Sequence, residues 1–163
     1  MKTLIRNLAL AGLSLLAAAS ASAGVSVTFS HPENYADLPF APWERDQVLR
    51  DLTEHFTRLA ATLPPGQDLK VEILDVDLAG RIRHDFRGAH EIRVLRGQAD
   101  WPHIHLRYTL TEAGQVLGTG EEHLSNMMYL DRINRYVSGD PLRYEKQMID
   151  DWFKDKIAPR RPS

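Results

Sequence analysis

Residues 103–124 read HIHLRYTLTEAGQVLGTGEEHL, and this stretch decides the fold. Ile104, Leu106, Tyr108 and Leu110 alternate with His103, His105, Arg107 and Thr109, the two-residue period of a strand with one buried and one wet face. Glu112-Ala113-Gly114 follows as a three-residue turn, with glycine where a left-handed backbone is needed, and Gln115–Leu124 returns as the partner strand. That turn sets Thr109 opposite Leu117, Arg107 opposite Thr119, His105 opposite Glu121 and His103 opposite His123. Directly opposed Cβ atoms lie about 4.5–5.5 Å apart, so three histidines and Glu121 would share one polar patch. Such a patch has ligand chemistry for zinc or copper. The plainer alternative is a solvated face on which His105 pairs with Glu121. The same register places Tyr108 against Gly118 and turns Glu122 toward the core side. A bulge at Gly118 or Gly120 would relieve Glu122, but it would also carry His123 to the other face.

Working outward, Leu69 to Leu78 is a second strand whose alternation changes phase. Leu69, Val71 and Ile73 fall on one face, and Leu74, Val76 and Leu78 on the other. Either both faces are covered or a bulge sits near Leu74-Asp75, and a central position in the sheet suits the run best. Pro42 to Leu63 predicts a long helix, with proline at its first position and Val48, Leu49, Leu52, Phe56, Leu59, Ala60 and Leu63 on one stripe. Pro64-Pro65-Gly66 stops it. Val25–Phe29 alternates as a first strand, Gly80–His90 reads as irregular, and Glu91–Arg96 suggests a short strand. A short helix over 126–137 would use Met127, Leu130, Ile133 and Val137. A second long helix, capped by Asp140 with Pro141 first, runs to about Ile157 and buries Leu142, Met148, Ile149, Trp152 and Phe153.

The expected fold is therefore α+β, in the order β-α-β-β-β-β-α. It has a mainly antiparallel sheet of about 4–6 strands with two long helices packed on one face. One domain over 24–157 and a mobile tail at 158–163 complete the expected layout.

Lys2 and Arg6, the apolar run Leu8–Ala19 and Ala21-Ser22-Ala23 together have the form of a signal peptide cleaved after Ala23. The run is shorter than the roughly 20 residues that cross a bilayer, so the processed chain is not expected to span a membrane. The sequence has no cysteine, which excludes a lipoprotein and any disulfide. Without Lys2 and Arg6, 18 basic residues face 22 acidic ones, a net charge of −4. This balance argues against general nucleic-acid binding.

Two further groups of residues carry candidate chemistry. Asp75 and Asp77, two apart on a strand, point the same way and could share a metal or act as acid and base. Alternatively they accept hydrogen bonds in the turn closed by Gly80. Arg81, Arg83, Arg87, Arg93 and Arg96 lie in a segment with only Asp85 and Glu91, a local excess of positive charge suited to an anionic group. Arg81, Arg83, Arg87 and Arg93 are the candidate anion ligands. Zinc-protease, nucleophile-elbow, phosphate-loop and dinucleotide motifs are all absent.

Val25–Phe29, Asp75-Val76-Asp77-Leu78-Ala79-Gly80, Pro102–Tyr108, Met127–Leu130 and the Glu145…Trp152-Phe153 helix together resemble a family of secreted proteobacterial proteins, the domain of unknown function numbered 3016. The resemblance implies export and a single domain, and it carries over no activity. Where the family pattern has an acid and an asparagine near the Met-x-Tyr stretch, this chain has Asn126 and Met128.

The leading expectation is a periplasmic, non-catalytic binding or envelope-accessory protein, partnered by an envelope protein or an anionic envelope component. A metal-binding protein using the histidine-rich strand face is the alternative. A small hydrolase centred on Asp75 and Asp77 is a third reading, favoured by any concave pocket holding both aspartates and a histidine.

Overall fold

The computed structural model describes residues 23–84 and 91–158. The proposed signal segment up to residue 22, Arg87 and the tail from residue 159 lie outside the described residues.

The chain runs β1 (Gly24–Phe29), α1 (Pro42–Ala60), β2 (Gln67–Asp77), β3 (Arg81–His84), β4 (Glu91–Val94), β5 (His103–Glu112), β6 (Gln115–Ser125) and α2 (Arg143–Trp152). The fold is α+β, as the alternation of the strands requires. β1, β2, β5 and β6 form one sheet in the order β1-β2-β5-β6, and β3 with β4 forms a separate antiparallel pair. The segment read as irregular thus contributes β3. β1 and β2 run parallel, with α1 as their crossover, and the other pairs of named strands are antiparallel.

β2 is central, and its change of phase has a single cause. Ile73 pairs with Leu106 and Asp75 with His105, so Leu74 is an extra residue bulged out of the ladder. Leu69, Val71 and Ile73 before the bulge and Val76 and Leu78 after it are all buried in the same core. The bulge's Ile73 carbonyl accepts from the Ser30 amide (2.9 Å) and the Tyr35 hydroxyl (2.7 Å). β1 has ended by then, and the chain from Ser30 to Asp37 takes its place along the edge of β2. There the Asp37 amide donates to the Val76 carbonyl at 3.1 Å.

The core lies on one face of this sheet. Leu52, Phe56 and Ala60 of α1 recur at four-residue steps and are buried, and so are Met148, Ile149 and Trp152 of α2. Trp152 meets Phe56 and Tyr108 edge-on, at ring distances of 6.2 and 5.5 Å. After Trp152 the helix widens into one π-type turn, Phe153–Ile157, which buries Phe153 and Ile157.

Two expectations need correcting. α2 begins at Arg143, two residues past Pro141, because Asp140 and Pro141 form a turn in which the Asp140 carboxylate accepts the Leu142 amide at 2.9 Å. Residues 126–137 form turns, not a helix. Met127, Leu130, Ile133 and Val137 are exposed, while Tyr129 is buried and donates its hydroxyl to Asp100 at 2.7 Å. A hydrogen bond to a buried carboxylate outweighs the helical spacing of four apolar residues that have no core to face.

Candidate metal centre

Among the described residues no helix covers the sheet's second face, and strand register arranges its side chains in rungs. Ser26, Lys70, Thr109 and Thr119 form one rung, and Thr28, Glu72, Arg107 and Glu121 the next. Asp75, His105 and His123 form the third, and Asp77, His103 and Ser125 the fourth. The bulge at Leu74 keeps Asp75 and Asp77 in phase with these histidines.

This register differs by two residues from the one expected. The turn is Ala113-Gly114 alone, both at positive φ (48° and 83°), so Glu112 pairs with Gln115. Leu117 is then skipped, since Thr111 faces Val116 but Leu110 faces Gly118. Each departure shifts the ladder by one, and together they restore the parity of the faces. His105, Glu121 and His123 remain on the open face, with changed partners. His105 now faces His123 directly, their rings stacked at 3.8 Å, and Tyr108 faces Gly120 instead of Gly118. Glu122 does turn to the core side, where Lys156 meets it at 3.1 Å.

Ligand atoms from His105, Glu121 and His123 all lie within 4.8 Å of one another. His105 Nε2 is 2.8 Å from Glu121 Oε1, and Arg107 Nε donates to Glu121 Oε2 at 2.6 Å. Those two contacts, the arginine's first, hold the Glu121 carboxyl below its usual range. Ligand atoms around a tetrahedral zinc sit about 3.3 Å apart, so closing the set would require the His105 and His123 rings, now stacked at 16°, to turn until both lone pairs point at one ion. A metal would replace the proton between His105 and Glu121, and Arg107 would keep the carboxylate oriented from behind.

His103 does not join them. Its partner is Ser125, its ring packs on Trp101 at 5.3 Å, and its Nδ1 stands 3.9 Å from Asp77. Asp75 and Asp77 have structural partners of their own. Asp75 Oδ1 accepts the Ala36 amide at 2.8 Å, and Asp77 accepts from Arg81 Nη1 at 2.8 Å. Even so, both aspartates line a cleft of about 250 Å³ with His103, His105 and His123.

Of the candidate anion ligands, Arg81 and Arg93 are held by carboxylates. Arg93 Nη1 pairs with Asp37 at 2.7 Å and also donates to the carbonyls of Ala79 and Gly80. Arg81 is held by Asp77, whose hydrogen bond and charge raise its pKa. Arg83 is exposed on β3, and Arg87 lies outside the described residues. Asp37 was not legible as a partner, because nothing local marks an acid that meets arginines 44 and 56 positions away.

Sequence reasoning also missed Glu145. It is 1% exposed on α2, and its Oε1 accepts the Ala79 amide at 2.7 Å at the end of β2. Burial pushes its carboxyl pKa up, and Oε2 has no partner among the described residues. Its signals in the sequence were an acid on the apolar stripe of an amphipathic helix and its place in a stretch that carries the family resemblance.

A family model described as "Protein of unknown function (DUF3016)" matches residues 23–155. No curated protein matches the chain.

Proposed function

The chain belongs to the DUF3016 family, and we propose that this member is an exported, non-catalytic binding protein whose open sheet face takes zinc or copper. The observation that carries the reading is the convergence of His105, Glu121 and His123 within 4.8 Å on two adjacent strands. Two imidazoles and a carboxylate suit either metal, and three protein ligands leave a coordination position open to solvent. Lys2, Arg6, the apolar run and Ala21-Ser22-Ala23 support delivery to the periplasm. Among the described residues no helix is long and apolar enough to cross a membrane. The arginine segment is left out of the proposal, since Arg81 and Arg93 are engaged by Asp77 and Asp37.

Elemental analysis of the chain purified from periplasm, without added metal or chelator, tests the reading. Zinc or copper near one equivalent is expected, falling to background in the His105→Ala/His123→Ala chain. Equal metal content in both would refute it.

The cleft that holds both aspartates beside three histidines favours a second reading, metal-assisted hydrolysis with Asp75 as the base. That reading requires metal-dependent ester turnover that disappears in Asp75→Asn. Zinc-loaded protein with no turnover above buffer would remove it.

A further inference from the structure

We propose that the metal centre is half of an oxyanion receptor, in which a phosphate or carboxylate fills the metal's open position and extends over Arg107 toward Lys70. This inference rests on the metal reading above and names its ligand class. A groove of about 410 Å³ adjoins the centre, lined in part by Thr28, Lys70, Glu72, Arg107, Thr119 and Glu121. Glu121 belongs to both the groove and the metal set, so an ion bound there sits at the groove's end.

Charge makes the groove conditional on the metal. Lys70 and Arg107 are balanced by Glu72 and Glu121, so without an ion the lining is neutral and has little pull on an anion. A divalent ion held by two neutral imidazoles and Glu121 adds two positive charges at one end, and the balance swings to cationic. An oxyanion can then ligate the metal through one oxygen and accept hydrogen bonds through the others. Arg107 stands nearest. Its Nε is committed to Glu121 at 2.6 Å, while Nη1 leans only loosely on Glu72 at 3.7 Å, a contact that an oxyanion would outcompete. Thr28, Thr109 and Thr119 place hydroxyls along the same two rungs. Lys70 stands one rung beyond Arg107, where its long side chain supplies a second positive end.

Cobalt(II) in place of zinc gives a visible spectrum that reports on the open coordination position. The cobalt-loaded chain is titrated with inorganic phosphate, with acetate as the carboxylate arm and chloride as the control. Phosphate or acetate should shift the spectrum saturably where chloride does not. Lys70→Glu should weaken that response by about tenfold, the effect of placing a like charge against the anion, while leaving cobalt affinity intact. A spectrum indifferent to both oxyanions, or equal responses in the parent and Lys70→Glu chains, overturns the inference and leaves the metal reading standing. Failure to bind cobalt at all overturns both.

Discussion

The two faces of the sheet are made from the same strands, residue by residue in alternation, yet they hold together by different means. On the covered face, Ile73, Val76, Ile104 and Leu106 lie under two helices and are at most 1% exposed. On the open face, His105, Arg107 and Glu121 meet one another through charge and hydrogen bonds. Burial of apolar area is non-directional and tolerates many sequences, whereas a ligand set depends on which residue stands opposite which. The covered face therefore sets the stability, and the open face carries the proposed chemistry. The bulge at Leu74 serves both, because it keeps Asp75 and Asp77 on the open face while Val76 and Leu78 stay in the core.

The largest expected effect lies on the covered face. Trp152 is 7% exposed and wedged between Phe56 and Tyr108, so Trp152→Ala should cost about 3–5 kcal/mol in urea unfolding. A loss under about 1 kcal/mol, typical of point mutants, would show that this face does not carry the stability. Next comes Gly120, where an added Cβ would stand 2.9 Å from Tyr108 Cε1. Gly120→Ala must displace that ring, which packs edge-on against Trp152, and overpacking of this kind costs about 1–3 kcal/mol. The same measurement checks it.

Glu145 sharpens the contrast, since it is a carboxyl buried on α2. Its folded pKa is raised, so its contribution to stability is complete below the ordinary carboxyl range and is lost as pH rises through the folded value. Glu145→Gln keeps the acceptor for the Ala79 amide and removes the charge. The parent chain should lose stability relative to this variant between pH 4 and neutrality, read from urea midpoints across that range. Parallel pH profiles would show that burial does not raise the Glu145 pKa. On the open face the effect should be smallest. His105→Ala/His123→Ala should unfold within about 0.5 kcal/mol of the parent, as substitutions away from the core do.

The same division explains what was legible in the sequence. Alternation in residues 103–111 shows which side chains share a face, because the period of a strand is independent of its partner. Register depends on the turn and on bulges, and neither is written in that pattern. Ala113 at φ 48° makes a two-residue turn where three residues were expected, and Leu117 drops out of the ladder. The face was therefore right and each partner wrong, which kept His105, Glu121 and His123 together and separated His103 from them. The parallel pairing of β1 with β2 was hidden for a similar reason, since a half-buried edge strand alternates alike in either direction. Met127, Leu130, Ile133 and Val137 had helical spacing but no surface to bury against, and periodicity alone cannot reveal that.

Zinc titration by calorimetry tests the central claim most directly. The parent chain should take up one zinc per molecule, with affinity lost in His105→Ala and retained in His103→Ala, whose ring belongs to the next rung. Comparable affinity in the parent and His105→Ala/His123→Ala chains, or a loss in His103→Ala equal to that in His105→Ala, would contradict the account.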